Sequence, residues 1–169
     1  MILRLWDVTE RWVVGILAVA ALAVSLWQIA GRYVSSQFAI SSGEELAVYL
    51  IIWAALLSSS ALVRDDGHVR ADLVVRLLKP AQQRIVEMVN CSIAVGFCAG
   101  LAWYGAIVTY DAYDIGERSV TSLGFPMWVY YAALPVAALL MTIRYIIRLF
   151  TLAFRFDPDA MHLHANHQS

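Results

Sequence analysis

Few residues in this sequence have side chains that could do chemistry, and they lie in or beside long apolar stretches. Cys91 and Cys98 stand seven positions apart on one face of a predicted helix, where we expect small packing residues and no disulfide or redox pair. Three of the four histidines, His162, His164 and His167, fall in a polar C-terminal tail, where they can at most hold a stray metal ion. The sequence contains no glycine-rich phosphate loop, nucleophile elbow or metal-ligand set. We therefore expect no catalytic residue, no cofactor and no functional metal, and we predict that the protein is not an enzyme.

The densest charge lies on both sides of one apolar run. Glu44 and Glu45 come directly before the uncharged run 46–63, and Arg64 follows it. A charge at the centre of a bilayer costs about 3 kcal/mol or more, so this run predicts a membrane-spanning helix whose two flanks face opposite sides of the membrane. The carboxylates either stabilise the first turn of that helix, or pair with Arg32 across the loop or with a basic group of another subunit.

The overall composition also indicates a membrane protein. Hydrophobic residues make up 61% of the 169 residues, against roughly 45–50% in soluble domains, and the mean hydropathy is +0.67. Long uncharged runs predict an all-α fold with four transmembrane helices in a single membrane domain, residues 1–169. We place the spans at about residues 12–33, 44–63, 87–110 and 126–148.

Lysine and arginine are distributed unevenly between the two sides of this arrangement. One side holds ten of them: Arg4, Arg11, Arg64, Arg70, Arg76, Lys79, Arg84, Arg144, Arg148 and Arg155. The other side holds only Arg32 and Arg118. Because basic residues favour the cytoplasmic side, we predict that both termini lie in the cytoplasm. These cations lie along the membrane borders, and membrane topology accounts for them. Membrane lipids are therefore an expected partner, and no nucleic-acid partner is expected.

The stretch between the second and third spans has the pattern of a helix that lies on a membrane surface. Over about residues 68–84, apolar residues recur at helical spacing while basic residues take other faces. This pattern predicts an amphipathic interfacial helix along the cytoplasmic leaflet. Pro80 should break or restart it, and Pro135 should kink the fourth span by leaving the carbonyl of Tyr131 without its helical donor. The polar tail, residues 157–169, is expected to be mobile.

Small residues on two of the predicted helices indicate close packing. In the second span Ala54, Ser58 and Ala61 recur at steps of four and three, and in the third span Gly96 and Gly100 form a GxxxG pair. Such residues let helix backbones approach closely. They predict tight contacts without identifying the partner.

Trp53 differs from most of the other aromatic residues because it lies near the middle of a span. Aromatic residues near span ends are typical membrane-interface anchors. For Trp53 two interpretations are open, a side chain that faces lipid and a side chain that packs against another helix.

The predicted spans hold few polar groups of the kind that transport needs. No acidic or basic residue falls deep within a span, and the amides nearest to the span interiors are Gln28 and Asn90. A coupled carrier would place more polar groups there, and a haem would need histidine ligands inside the spans. We therefore favour a subunit that supports transport by another protein. A stand-alone carrier or channel is the alternative, followed by a redox subunit.

Several short motifs occur in an order that is specific when they are taken together. They are Gln28–Tyr33 closing the first span, Glu44-Glu45-Leu46 opening the second, Trp53 within it, Arg64, His68 and Asp72 after it, and Leu123–Trp128 with Tyr131 and Pro135 in the fourth. In this order and spacing, the chain resembles the small, Q-type (DctQ-like) membrane subunit of tripartite ATP-independent periplasmic (TRAP) transporters. The likeness covers most of the chain.

The resemblance implies a role in secondary transport across the bacterial inner membrane. It implies a sodium-coupled importer of organic acids, with a large M-type membrane subunit and a soluble periplasmic substrate-binding protein as partners. In such transporters the large subunit carries the substrate and sodium sites and moves like an elevator, while the small subunit widens the fixed scaffold. On this basis the candidate subunit-contact or structural residues are Arg32, Glu44, Glu45, Trp53, Arg64, His68, Asp72, Gly96 and Gly100.

Overall fold

The computed structural model describes residues 2–34, 43–64, 80–121 and 124–154, and these ranges are almost entirely helical. Its helices are α1 (Ile2–Val34), α2 (Gly43–Arg64), α3 (Pro80–Asp114), α4 (Met127–Tyr131) and α5 (Ala133–Phe154). Four stretches are long and apolar enough to cross a membrane: Leu5–Tyr33, Gly43–Val63, Gln82–Asp114 and Met127–Phe154, the last formed by α4 and α5 together. The prediction of an all-α membrane protein with four transmembrane helices is confirmed.

The predicted interfacial helix, residues 68–84, lies mostly outside the described residues, and so does the tail, residues 157–169. Both therefore stay predictions. Pro80 is the first residue of α3. Proline is favoured in a first helical turn because its missing N–H has no partner to lose there.

Two helices are longer than a bilayer is thick. α1 has 33 residues and α3 has 35, so each is about 50 Å long against a hydrocarbon core of about 30 Å. Their ends therefore carry charged residues beyond the apolar middle. We call the end of the molecule where α1 begins and α5 ends the terminal end, and the opposite end, where α2 begins and α3 ends, the loop end.

The long helices pack in a row that does not follow their order in the chain. α1 packs against α2, α2 against α5, and α5 against α3, so α1 and α3 form the two edges. Large apolar side chains stay exposed along both edges, for example Ile16 and Leu22 on α1 and Ile93 and Phe97 on α3. In a membrane these faces are covered by lipid or by another chain.

The face of α3 that packs against α5 is built from small residues at every seventh position. Cys91, Cys98, Gly105 and Ala112 are all buried. A Cβ added at Gly105 would lie 3.1 Å from Cδ of Pro135, so the absence of a side chain permits the close approach. The two cysteines are packing residues, as predicted, and neither is in a disulfide.

The GxxxG pair lies away from that packed face. Gly96 is exposed, and a Cβ added at Gly96 or Gly100 meets no described atom within 4 Å. On α2, Ala54 is buried, whereas Ser58 is exposed and donates a hydrogen bond back to the carbonyl of Ala55 at 2.8 Å. Within the described chain, Gly96 and Gly100 therefore do not make the tight contact that their pattern predicts, because α5 packs on a neighbouring face.

The fourth span is interrupted where the sequence predicts a disturbance. α4 ends at Tyr131 and α5 begins at Ala133. Pro135 has no N–H to donate to the carbonyl of Tyr131, four residues earlier, and its ring crowds that carbonyl. Backbone bonds from Ala132 N to Trp128 O, at 2.9 Å, and from Val136 N to Ala132 O, at 3.2 Å, bridge the interruption.

Candidate functional site: contacts along the second helix

Three side chains on one face of α2 hold the loop-end half of the molecule together. Glu45, Tyr49 and Trp53 are spaced by four residues, so they lie above one another on the helix. All three contact the segment that runs from the end of α3 into α4. We call this set the α2 ladder.

Glu45 fastens the start of α2 to the α3–α4 loop. Its carboxylate accepts hydrogen bonds from the hydroxyls of Thr121 and Tyr49. The loop is itself braced by backbone bonds from Ser119 N to Phe125 O, at 2.9 Å, and from Met127 N to the carbonyl of Glu117, at 3.0 Å. Glu45 therefore binds next to a stretch where the described residues on the two sides of the loop are joined by backbone bonds.

Glu44 makes a different contact from its neighbour. It forms an ion pair with Arg32 at the end of α1, and both side chains are 68% exposed. This pairing across the loop is one of the alternatives that the sequence left open. An ion pair so exposed contributes about 0–1 kcal/mol, so within this chain it is a weak link between α1 and α2.

Tyr49 is the centre of an aromatic cluster. Its ring centroid lies 5.2 Å from that of Phe125 and 5.2 Å from that of Tyr130. The side chain is only 8% exposed, although it stands near a span end, where the sequence suggests a membrane-interface anchor. Tilted aromatic pairs at this separation stabilise a contact beyond their buried area, so the cluster ties α2 to α4.

Trp53 is half-buried and packs against the fourth span. Its Nε1–H donates a hydrogen bond to the carbonyl of Val129 at 3.1 Å. Val129 lies in α4, directly before the interruption in the fourth span. Backbone carbonyls near a helix break in a bilayer need donors from neighbouring groups, and Trp53 supplies one of them.

Trp53→Phe should lower the free energy of unfolding by about 1 kcal/mol, because the ring remains while the donor to Val129 is lost. The measurement is denaturant-induced unfolding of the purified chain in detergent. Trp103→Phe is the matched control, since that indole is 69% exposed. Equal effects of the two substitutions would show that the hydrogen bond contributes nothing.

A second group of polar contacts lies at the terminal end, around Arg144 of α5. Its Nη2 lies 3.0 Å from the carboxylate of Asp7 and also pairs with Glu10, and its Nε donates to Ser60 Oγ at 2.8 Å. The guanidinium also stacks over Trp6 at 5.2 Å from the ring centroid. We call Asp7, Glu10, Ser60 and Arg144 the Arg144 clasp. It joins α1, α2 and α5.

The clasp is a group of buried charges near one end of the spans, where the sequence analysis assigned the basic residue no partner. The Glu10 side chain is 5% exposed and the Arg144 side chain 10% exposed, and both lie within the apolar stretches that the structure defines. Sequence reasoning took Arg144 only as a topology marker. The available signal was the i, i+3 spacing of Asp7 and Glu10, which places both carboxylates on one face of α1.

A third contact joins α3 to α5 at the same end. Arg148 forms an ion pair with Glu87. Arg84 donates to the carbonyls of Leu152, at 3.1 Å, and Ala153, at 2.7 Å. These carbonyls belong to the last turn of α5, where the helix itself supplies no donors and a cation is favoured.

The structure therefore brings together only part of the predicted set. Glu45 and Trp53 belong to the α2 ladder, and Glu44 and Arg32 pair beside it. Arg64 is the last residue of α2, with its side chain outside the description, and His68 and Asp72 lie outside the described residues. Gly96 and Gly100 stand apart on the exposed side of α3.

No group of histidine, cysteine or acidic residues suited to a metal ion occurs among the described residues. The polar side chains of the α2 ladder and of the Arg144 clasp join helix to helix. The four apolar helices indicate a multi-pass membrane protein. In the part of the chain that is described, the polar side chains of the α2 ladder and of the Arg144 clasp hold its own helices together.

The family model for the DctQ component of tripartite ATP-independent periplasmic transporters matches residues 21–155. The chain belongs to this family, as its motifs predicted. It is therefore a TRAP transporter component and a multi-pass protein of the bacterial inner membrane.

Curated relatives agree with this assignment. The chain is 27% identical over 103 residues to the C4-dicarboxylate TRAP transporter small permease protein DctQ of Rhodobacter capsulatus, covering 61% of this chain and 45% of that protein. It is 29% identical over 99 residues to the protein of the same name from Pseudomonas aeruginosa, covering 57% and 47%. The sialic acid TRAP transporter permease protein SiaT of Haemophilus influenzae is 31% identical over 137 residues, covering 81% of this chain and 22% of SiaT. The chain thus spans less than half the length of these relatives.

Proposed function

We propose that this chain is the scaffold subunit of a sodium-coupled, binding-protein-dependent importer of organic acids. Its partners would be a large M-type membrane subunit, which moves the substrate, and a periplasmic substrate-binding protein. The observation that carries the proposal is the use of the buried polar side chains, since the Arg144 clasp and the α2 ladder serve contacts between this chain's own helices. A fixed scaffold needs such contacts.

The substrate class is supported by the relatives and not by a pocket in this chain. Their names include a C4-dicarboxylate and sialic acid, which are both organic acids. Sodium coupling and the stationary role follow from the likeness to TRAP small subunits. The ten-to-two bias in basic residues supports cytoplasmic termini, and a C-terminal tag that is accessible only in permeabilised cells would test that orientation.

The exposed side of α3 is our candidate for the contact with the large subunit. Gly96 and Gly100 leave a shallow groove there, because a Cβ at either position meets no described atom within 4 Å. Small residues at this spacing let a second membrane helix come close. The neighbouring Ile93 and Phe97 are 65% and 68% exposed, and their spacing of four residues makes them one apolar ridge beside the two glycines, against which that helix can pack.

Gly96→Leu and Gly100→Leu should each reduce recovery of the large subunit by about tenfold or more, because a leucine fills the groove that the partner helix enters. The measurement is pull-down yield and solute uptake after co-expression with the neighbouring transporter genes, at equal membrane abundance. Gly15→Leu is the matched control on α1, where an added Cβ also meets no described atom within 4 Å. Loss of the partner with Gly15→Leu alone would place the contact on α1 and overturn this assignment.

Glu44→Ala should have little effect on the isolated chain, because its ion pair with Arg32 is exposed. If the large subunit covers this pair, removal of one partner leaves a buried charge and costs about 3–5 kcal/mol. We therefore expect weaker association or uptake with unchanged insertion, measured by the same pull-down and transport assays. Asp114→Ala, at the exposed end of α3, is the control. Unchanged association and uptake would show that Glu44 has only a local role at the start of α2.

The alternative is a stand-alone carrier or channel. Reconstitution of the purified chain into liposomes separates the two proposals. Solute flux through the chain alone, without a co-purifying membrane subunit, would contradict the scaffold proposal.

A further inference from the structure

The Arg144 clasp has a role that membership in a transporter family does not assign. We propose that Arg144 is the positioning residue for the first turns of α1, residues 5–11, and that this end of α1 separates from α2 and α5 as a unit when Arg144 loses its contacts. The proposal concerns the chain itself. Only its consequence for transport rests on the proposed function.

The pattern of exposure along residues 5–11 shows how this end of α1 is attached. Four of these residues are exposed: Leu5, Val8, Thr9 and Arg11. The three that are not exposed, Trp6, Asp7 and Glu10, are the three that contact Arg144. Glu10 lies four residues after Trp6 and three after Asp7, so it stands beside both of them on the helix surface. One guanidinium therefore contacts every covered side chain in this segment.

The geometry of the clasp requires an arginine. Nε donates to Ser60 Oγ at 2.8 Å while Nη2 reaches Asp7 at 3.0 Å and also pairs with Glu10. Ser60 is completely buried, so α2 fixes the orientation of the guanidinium plane. A planar group with donors in fixed directions can bind the hydroxyl and the carboxylates together, whereas an ammonium group has no such fork.

Loss of Arg144 should move α1 and leave the other helices folded. Without the guanidinium, the Glu10 carboxylate, 5% exposed, is left without its positive partner in an apolar environment. Glu10 lies before the uncharged run that begins at Trp12, so its carboxylate can regain water at the membrane surface if the first turns of α1 swing outward. The other side chains of this segment are already exposed, so they lose less contact than Trp6, Asp7 and Glu10 when that happens, and the apolar run that begins at Trp12 keeps the rest of α1 in the membrane.

α5 carries a matched control one helical turn further along. Arg148 pairs with Glu87 of α3, so it makes the same kind of contact with a different helix. Arg144→Gln and Arg148→Gln remove the same charge from the same helix. The proposal predicts that only the first substitution affects α1.

For transport, the prediction follows from the place of α1 at one edge of the helix row. Our candidate contact with the large subunit lies on α3, at the other edge, and α5 links the two edges because it packs on α3 and holds α1 through Arg144. Release of α1 should therefore loosen the scaffold behind that contact. Arg144→Gln should therefore lower uptake even when the large subunit still co-purifies. This consequence depends on the scaffold proposal.

The test is hydrogen–deuterium exchange of the purified full chain in lipid nanodiscs, read from peptides that cover residues 6–11. Exchange in a helix reports the population of the open state. We expect Arg144→Gln to accelerate exchange there by about 100-fold or more, with no change in a peptide from the middle of α3. Arg148→Gln should accelerate exchange near Glu87 and leave residues 6–11 unchanged.

Two further variants separate positioning from general damage. Arg144→Glu combined with Glu10→Arg restores an opposite pair and should recover part of the protection, because the bond from the guanidinium to Ser60 is still missing and Asp7 then lies beside a carboxylate. Ser60→Ala removes the hydrogen bond with Arg144 and leaves the charges in place, so it should give a smaller acceleration of exchange that is confined to residues 6–11. This variant replaces Arg144→Gln in the test if Arg144→Gln does not fold. Unchanged exchange at residues 6–11 in both Arg144→Gln and Ser60→Ala, or equal acceleration in Arg144→Gln and Arg148→Gln, would overturn the proposal.

Failure of the wild-type chain to bind a large subunit would contradict the scaffold proposal and leave the exchange result unaffected.

Discussion

Gly105→Leu is expected to separate α3 from α5 and to lower the free energy of unfolding by about 3 kcal/mol. Gly105 is buried where α3 lies directly against Pro135 of α5. An added Cβ would already lie 3.1 Å from Cδ, 3.3 Å from Cβ and 3.4 Å from the backbone nitrogen of that proline. The ring cannot rotate away as a flexible side chain would, and three more carbon atoms must then be placed in the same contact.

The measurement is denaturant-induced unfolding in detergent, together with cross-linking between cysteines introduced on α3 and α5. Gly96→Leu is the matched control, because it adds the same side chain to the same helix at a position with no described atom within 4 Å. We expect that control to leave the stability of the isolated chain nearly unchanged. Equal destabilisation by the two substitutions would mean that the approach of Pro135 is not the cause, because leucine is the better helix former at both positions.

The contrast between these two glycines shows what the sequence could and could not predict about packing. A GxxxG pair is visible as a pattern, and it predicts close contact for α3. The contact that forms within the chain instead uses Cys91, Cys98, Gly105 and Ala112. The shape of the opposing helix selects this face, and Pro135 lies 30 positions away from Gly105 in the sequence. A pattern in one helix carries no information about that shape.

The four spans and the family were predictable for a different reason. Each span is defined by its own apolar length, which is a local property, and the family is defined by the order of motifs along the chain. Polar contacts between distant segments are not local. The i, i+4 spacing of Glu45, Tyr49 and Trp53 places them on one face of α2, but their partners lie more than 70 residues further along the chain.

Buried charge was the least predictable feature. Arg144 stands at the end of an apolar run, where a basic residue is expected on topological grounds alone. That interpretation accounts for its position and leaves its partners unspecified. Only the packing order, in which α2 lies between α1 and α5, brings Ser60 and Glu10 to the same guanidinium.

Tyr49→Ala is expected to release α4 and the α3–α4 loop from α2, with a loss of about 3 kcal/mol in the free energy of unfolding. Tyr49 is 8% exposed, and its ring contacts Phe125 and Tyr130 at centroid distances of 5.2 Å. Its hydroxyl donates to Glu45, so the substitution also removes a contact that holds the carboxylate near Thr121. The substitution thus removes Tyr49 from the α2 ladder and also weakens the contact between Glu45 and Thr121.

Tyr49→Phe separates the ring from the hydroxyl, since it keeps the aromatic cluster and removes the hydroxyl contacts with Glu45 and with Met127 Sδ, the latter at 3.4 Å. We expect it to cost about 1 kcal/mol, and Tyr104→Ala to cost less than Tyr49→Ala because the Tyr104 side chain is 71% exposed. Unfolding measured with the three variants side by side gives the ring and hydroxyl contributions directly. If Tyr104→Ala and Tyr49→Ala proved equally destabilising, the aromatic cluster would not be what fastens the loop end, and Glu45 and Trp53 would have to hold α4 without it.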